Sequence, residues 1–145
     1  AGVGERLLVA AQRAKQVADG VQLPVQFGES AQLIGYEVSR AADQITLITY
    51  WRAGDHVQAP QQLFVHALAP DGSIVAQEDR LDVPAYGWHA GDLFAQVNRL
   101  TLPDPNAVVS LSLGFYDPAS GARLPVSANG QSLGERLILA AAVAP

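Results

Sequence analysis

Apolar letters recur at every second position in two stretches of the chain, and that period belongs to a strand. Residues 45 to 51, ITLITYW, set Ile45, Leu47, Thr49 and Trp51 on one face and Thr46, Ile48 and Tyr50 on the other. Residues 108 to 116, VVSLSLGFY, alternate more cleanly, with Val109, Leu111, Leu113 and Phe115 opposed to Ser110, Ser112 and Gly114. A helix would bring every third or fourth residue to one side, so a period of two predicts strands. Further strands are predicted at 32 to 38 (QLIGYEV), 62 to 68 (QLFVHAL), 73 to 78 (SIVAQE), 93 to 100 (LFAQVNRL) and 133 to 139. Turn chemistry separates them: APDG at 69 to 72, PAYG at 84 to 87, PDPN at 103 to 106 and DPASG at 117 to 121. Short strands in series, with no helical crossover between them, predict an all-β fold. The expected form is an antiparallel immunoglobulin-like β-sandwich of about seven or eight strands, with Leu47, Leu111, Leu113 and Phe115 in its core.

The first residues follow a different pattern. From Glu5 to Ala18 the chain reads ERLLVAAQRAKQVA, and Leu7, Leu8, Ala11, Ala14 and Val17 would line one face of a helix that Asp19 and Gly20 stop. Yet GERLLVA at 4 to 10 nearly repeats GERLILA at 134 to 140, a segment read as a strand. An additional N-terminal helix and a short strand followed by a linker are both open readings. Pro24 closes the region, which divides the chain into an N-terminal segment or inter-module linker at 1 to 24 and a sandwich domain at 25 to 145.

Composition narrows the classes of function. A chain of 145 residues with 49% apolar letters can bury one core and has no room for two. Its 9 basic and 14 acidic residues give a net charge of -5 and Lys15 is its single lysine, which argues against a nucleic-acid partner, since that needs a clustered basic surface. No apolar run is long enough to span a bilayer, and no signal-like leader is visible. Without cysteine there are neither disulfides nor thiolate metal ligands. Methionine is absent too, as in an excised or processed chain.

Candidate chemistry is sparse. His66 lies mid-strand beside Phe64 and Leu68, where a partly buried, hydrogen-bonded imidazole is the simpler reading and a metal ligand the sharper one. His56 follows Gly54 and Asp55 in a turn, and His89 follows Trp88 in a loop. No HxH or HxxxH spacing supports a zinc site. The acids of EDRLD at 78 to 82, with Asp92, form the densest negative patch. Calcium needs six to eight oxygens at set distances, so a solvated rim is the plainer account. None of the serines sits in a G-x-S-x-G turn. The chain therefore reads as a non-enzyme with no metal and no cofactor. The ligand-binding candidates are Tyr86, Trp88 and His89, between Pro84 and Gly91. If both rings are exposed, Tyr86 and Trp88 make a platform that can stack on a sugar or grip an apolar side chain. Folded inward, Trp88 would instead plug the core. Trp51 and Tyr116, at strand ends, are expected to plug an open edge of the sandwich.

Several phrases taken together carry a resemblance: LIGYEV at 33 to 38, LITYWRAGD at 47 to 55, FVHALAPDGSIVAQED at 64 to 79, GWHAGD at 87 to 92, LGFYDPASGARLPV at 113 to 126 and GERLILA at 134 to 140. Across about residues 25 to 140 the chain resembles the extracytoplasmic β-sandwich modules, often in tandem, at the tails of bacterial multi-span glycosyltransferase-like membrane proteins. It departs from them before Trp88, where Ala85, Tyr86 and Gly87 replace an acidic residue and a Pro-Thr pair. The resemblance implies a noncatalytic extracytoplasmic accessory module of a larger membrane-associated protein, tethered through that parent, with weak binding of glycan or protein. The alternative is a self-standing carbohydrate-binding module, marked by a concave face or loop cluster with at least two exposed aromatic rings. In tandem arrangements a GERL-type strand closes one module and an LIGY-type phrase opens the next. Residues 1 to 10 then read as the closing strand of a preceding module, available to pair two copies into a homodimer. Chance likeness between two apolar strands is the competing explanation.

Overall fold

A computed structural model describes residues 22–143. The alternation in VSLSLGFY and QITLITYW has its expected consequence: every second side chain goes to zero or near-zero exposure between two sheets. Leu47, Trp51, Leu111, Leu113 and Phe115 are fully buried. Ten strands form among the described residues: β1 (Val25–Phe27), β2 (Ala31–Ala41), β3 (Gln44–Ala53), β4 (Gln62–Leu68), β5 (Ile74–Asp79), β6 (Leu93–Thr101), β7 (Val109–Tyr116), β8 (Val126–Ala128), β9 (Gln131–Gly134) and β10 (Leu137–Val143). They pair into a six-stranded sheet, β6-β3-β2-β1-β8-β9, and a four-stranded sheet, β10-β7-β4-β5. Every ladder is antiparallel. The result is a two-layer sandwich with a single continuous core, as sheets with one apolar face require.

The strand count exceeds the seven or eight expected, and three short strands account for it. β1 is only three residues, too short to show a period. β8 and β9 flank Asn129-Gly130, where both residues take positive φ (52° and 73°), the backbone twist that a two-residue hairpin turn favours. The segment 133 to 139 is not one strand. Gly134, at φ 89°, ends β9 in the large sheet, and after Glu135 and Arg136 the chain enters β10 in the small one. PAYG is not an open turn either, since Ala85–Gly87 winds into one turn of 3-10 helix. The N-terminal helix or strand over 5 to 18 lies outside the described residues, as does all of the 1 to 24 segment before Gln22.

Where the two sheets would gape between the edge strands β5 and β6, polar side chains join them. The inward face of β6 carries Phe94, Gln96, Asn98 and Leu100, and its two amides are buried. Asn98 Nδ2 donates to Glu78 Oε1 at 3.1 Å, and Gln96 Oε1 accepts from the Asp82 backbone N–H at 2.7 Å. Each amide meets a partner across the gap, while Asn98 Oδ1 stays buried without one.

Leu111 touches the centre of this core. Its replacement by Ala is expected to cost about 2 to 5 kcal/mol in a denaturant melt, the range for a buried leucine that leaves a cavity. A loss below about 1 kcal/mol would mean that the site collapses around the deletion or is not part of the core.

Candidate functional site

Three loops meet at one end of the sandwich, and backbone hydrogen bonds stitch them together. Gly54 N–H donates to Ser30 O at 2.8 Å and His56 N–H to Glu29 O at 3.3 Å, joining the turn after β1 to the turn after β3. Ala53 N–H donates to Asp92 O and Gly91 N–H to Ala53 O, joining both to the loop before β6. The join works only with glycine at position 54, because a Cβ there would stand 2.0 Å from Glu29 O. Beside it lies an open groove of about 360 Å³, lined by Gln26, Gln32 and Arg52 on the outer sheet face and by Glu29, Asp55 and His56 from the loops. Register puts the first three side by side: Gln26 opposes Gln32, and Gln32 opposes Arg52. Carboxamides, a guanidinium, carboxylates and an imidazole offer donors and acceptors together, a set suited to hydroxyl-rich or amide-bearing ligands.

The sequence candidates Tyr86, Trp88 and His89 belong to the third of these loops, and the structure separates them. Trp88 turns inward. Its ring stacks on Phe94 at 4.7 Å and meets Phe115 edge-on at 5.9 Å, while Nε1 donates to Val83 O at 2.9 Å. Tyr86, on the 3-10 turn, is 76% exposed. His89 is exposed, and its backbone N–H donates to Asp92 Oδ2 at 2.8 Å. No two-ring platform forms from Tyr86 and Trp88. What remains at the surface is one phenol and one imidazole, on a loop that Trp88 anchors from beneath.

A second cluster lies on the outer face of the small sheet. Phe64 lies across Gly114, where a Cβ would come within 2.7 Å of the ring, and this leaves Phe64 buried although it points away from the core. Arg123 covers it, with its guanidinium carbon 4.4 Å from the ring centroid. His66 packs on the same ring at 4.8 Å, and Tyr116 Oη donates to Asp79 Oδ2 at 2.7 Å. Tyr116 therefore braces the outer face and does not plug the core edge. Burial holds the His66 pKa below its ordinary value, with Arg123 and Arg136 adding to the shift and Asp79 opposing it. On the large sheet, Tyr50 donates to Glu37 Oε2 at 2.7 Å, and burial first, then that carboxylate, push its pKa up to about 12.

The acidic run from 78 to 82 does not act as one patch. Successive residues of a strand point to opposite faces, so Glu78 goes to Asn98 and Asp79 to Tyr116. Asp82 pairs with Arg80 at 2.7 Å, and Asp92 caps the turn at His89. Among the described residues no three His, Asp or Glu side chains converge as a metal would require. The groove around Arg52 was not legible in the sequence, because Gln26, Gln32 and Arg52 are far apart in the chain and become neighbours only through register. Gly54, within the turn-like RAGD, was the one signal available.

Two outcomes follow from these contacts. Gly54→Ala is expected to destabilise by about 3 kcal/mol or more, the upper end of overpacking costs. Gly72→Ala meets open space at φ 87° and should lose only the left-handed penalty of about 1 to 2 kcal/mol; equal melts for the two would refute the close approach. His66, neutral more readily in the folded chain, makes unfolding more favourable as pH falls below about 6.5, where the unfolded histidine takes up a proton first. Above that pH its contribution is fully present. His66→Gln should flatten this part of the stability profile, and an NMR titration should place the His66 midpoint below that of a free histidine.

No family model matches the sequence, and no curated protein and no solved structure matches it either.

Proposed function

We propose that the chain is a noncatalytic β-sandwich accessory module of a larger membrane-associated bacterial protein, held outside the membrane by that parent, with at most weak contact to glycan or protein. One observation carries the choice over a self-standing carbohydrate-binding module: where the aromatic rings go. The chain has two Trp, four Tyr and four Phe. All are buried except Tyr116, which is half-buried and tied to Asp79, and Tyr86, which stands alone at the surface. A module built to hold sugar presents rings for stacking, because a polyol's hydroxyls are already well hydrated and hydrogen bonds alone yield little net affinity. The groove beside Gly54 offers such hydrogen bonds with no Phe, Tyr or Trp in its lining.

The parent, the tether and the extracytoplasmic placement rest on the resemblance in LIGYEV, GWHAGD and LGFYDPASGARLPV. Within this reading Tyr86 and His89 are the surface groups that a glycan or partner chain would touch. Trp88 acts through them by fixing their loop.

Two measurements test the proposal. Titration of the chain with cell-envelope oligosaccharides, followed by amide NMR, should show half-saturation no tighter than about 1 mM, equivalent to about -4 kcal/mol. Saturation in the micromolar range, abolished by Tyr86→Ala, would favour the carbohydrate-binding alternative. These 145 residues contain no cysteine, so a label introduced in them, in a parent whose other cysteines are replaced, is the one reactive site. Ser120→Cys in the membrane-bound parent should react with an impermeant maleimide on intact cells, and protection until the cells are lysed would refute the placement.

A further inference from the structure

We propose that the outer face of the small sheet carries a binding site for a hydroxy-carboxylate, a single sugar acid being the simplest case, with Arg123 as the clamp on the carboxylate. None of its residues belongs to the loop that carries Tyr86 and His89 or to the groove beside Gly54, and it requires neither a parent protein nor a membrane.

Four parts of the chain meet there. Phe64 and His66 stand two apart on β4 and so share a face. Register sets Asp79 of β5 and Gly114 of β7 on either side of Phe64, and Gln77 and Ser112 on either side of His66. The turn at 117 to 121 reverses the chain, with Asp117 N–H donating to Ala122 O at 2.8 Å, and returns Arg123 beside Tyr116. Phe64, His66, Asp79, Tyr116, Gly121 and Arg123 then line an open pocket of about 290 Å³. This is the small end of ligand sites, with room for one sugar ring and not for a chain of them.

Arg123 is placed but not used. Its guanidinium carbon stands 4.4 Å from the Phe64 centroid, so the ring fixes where the head lies, while its N–H groups donate to nothing among the described residues. A guanidinium held in this way is prepared for the two oxygens of a carboxylate. Arg136 adds a second positive charge, whose field, like that of Arg123, lowers the His66 pKa behind the larger effect of burial. The ion pairs among the described residues, Arg80 with Asp82 and His89 with Asp92, involve neither arginine. A chain of net charge -5 thus keeps a local excess of positive charge on this face.

Asp79 decides the kind of anion. Its Oδ2 accepts from Tyr116 Oη at 2.7 Å, and its Oδ1 accepts no hydrogen bond among the described residues. That oxygen can take a ligand hydroxyl, whereas its charge repels a phosphate dianion about twice as strongly as a carboxylate monoanion. An ammonium in the same place would meet two guanidinium groups. A carboxylate with a neighbouring hydroxyl is what satisfies Arg123 and Asp79 together.

The test is an NMR titration of the full chain with D-glucuronate, D-glucose and inorganic phosphate, read at the His66 ring and the Arg123 side chain. At about pH 8, where phosphate is largely a dianion, it should bind at least about threefold more weakly than glucuronate. Glucuronate should shift both groups with half-saturation at about 1 to 10 mM, and glucose should shift neither. The bound carboxylate should also raise the His66 midpoint, because a nearby anion favours the imidazolium. Arg123→Gln should weaken glucuronate binding about tenfold with the melting midpoint kept, while Tyr86→Ala leaves it unchanged. Asp79→Asn, which keeps an acceptor for Tyr116, should bring phosphate level with glucuronate. The inference is overturned if glucuronate shifts neither group, if glucose shifts them equally, if phosphate binds the unaltered chain more tightly than glucuronate, or if Arg123→Gln binds as the unaltered chain does.

Discussion

Five aromatic rings packed between the sheets are the contact on which the rest of this molecule depends. Trp51 stands at the centre, edge-on to Phe27 and to Phe115 at 5.0 Å each and stacked towards Phe94 at 6.4 Å. Trp88 completes the group through Phe94 and Phe115. These rings come from three strands of the large sheet, one strand of the small sheet and one loop. Their edge-to-face and stacked contacts hold all five pieces in one arrangement, because ring pairs reward particular geometries as well as burial. The indole of Trp51 brings a polar group into this apolar centre, and Thr49 Oγ1 accepts its N–H at 2.7 Å. Threonine at an otherwise apolar inward position of β3 thus has a physical reason.

The same cluster shapes the surface above it. Trp88 is drawn inward by Phe94 and Phe115, so the loop it belongs to is pinned to the core at one point. Its neighbours Tyr86 and His89 are forced outward, since adjacent residues of so short a turn cannot share the space that the indole takes. The backbone joins around Gly54 hold this loop against two others and form the floor of a polar groove. A sandwich that gives its rings to the core has few left to offer a ligand, and this bears most directly on the proposed accessory role.

Charged groups follow a similar logic. Glu78 and Asp79 are consecutive, yet strand geometry sends one to the gap between the sheets and the other to Tyr116 on the outer face. An apparent acidic patch becomes a set of separate braces. On the same outer face as Asp79 and Tyr116, Arg123 closes over Phe64, so a cation shields an aromatic ring that the glycine at 114 lets lie flat. At Phe64 the outer face is thus covered by groups of the chain itself, whereas Ile138 on β10 remains exposed.

The class of fold was legible in the order of residues alone. A period of two at 45 to 51, where both faces carry apolar letters, and at 109 to 116 belongs to strands, and the four core residues that follow from it, Leu47, Leu111, Leu113 and Phe115, are all fully buried. The Asn129-Gly130 dipeptide is likewise turn chemistry written in the sequence, matching a two-residue hairpin. Tertiary structure alone decided the rest, because it depends on which strands become neighbours. Register set Gln26, Gln32 and Arg52 in one row, and packing against Phe94 sent Trp88 inward. The segment from 133 to 139 reads as a single strand from its apolar letters Leu133, Leu137, Ile138 and Leu139, although Gly134, Glu135 and Arg136 interrupt them. Only the demand that each sheet bury its own face, met by a turn at Gly134, divided it between two sheets.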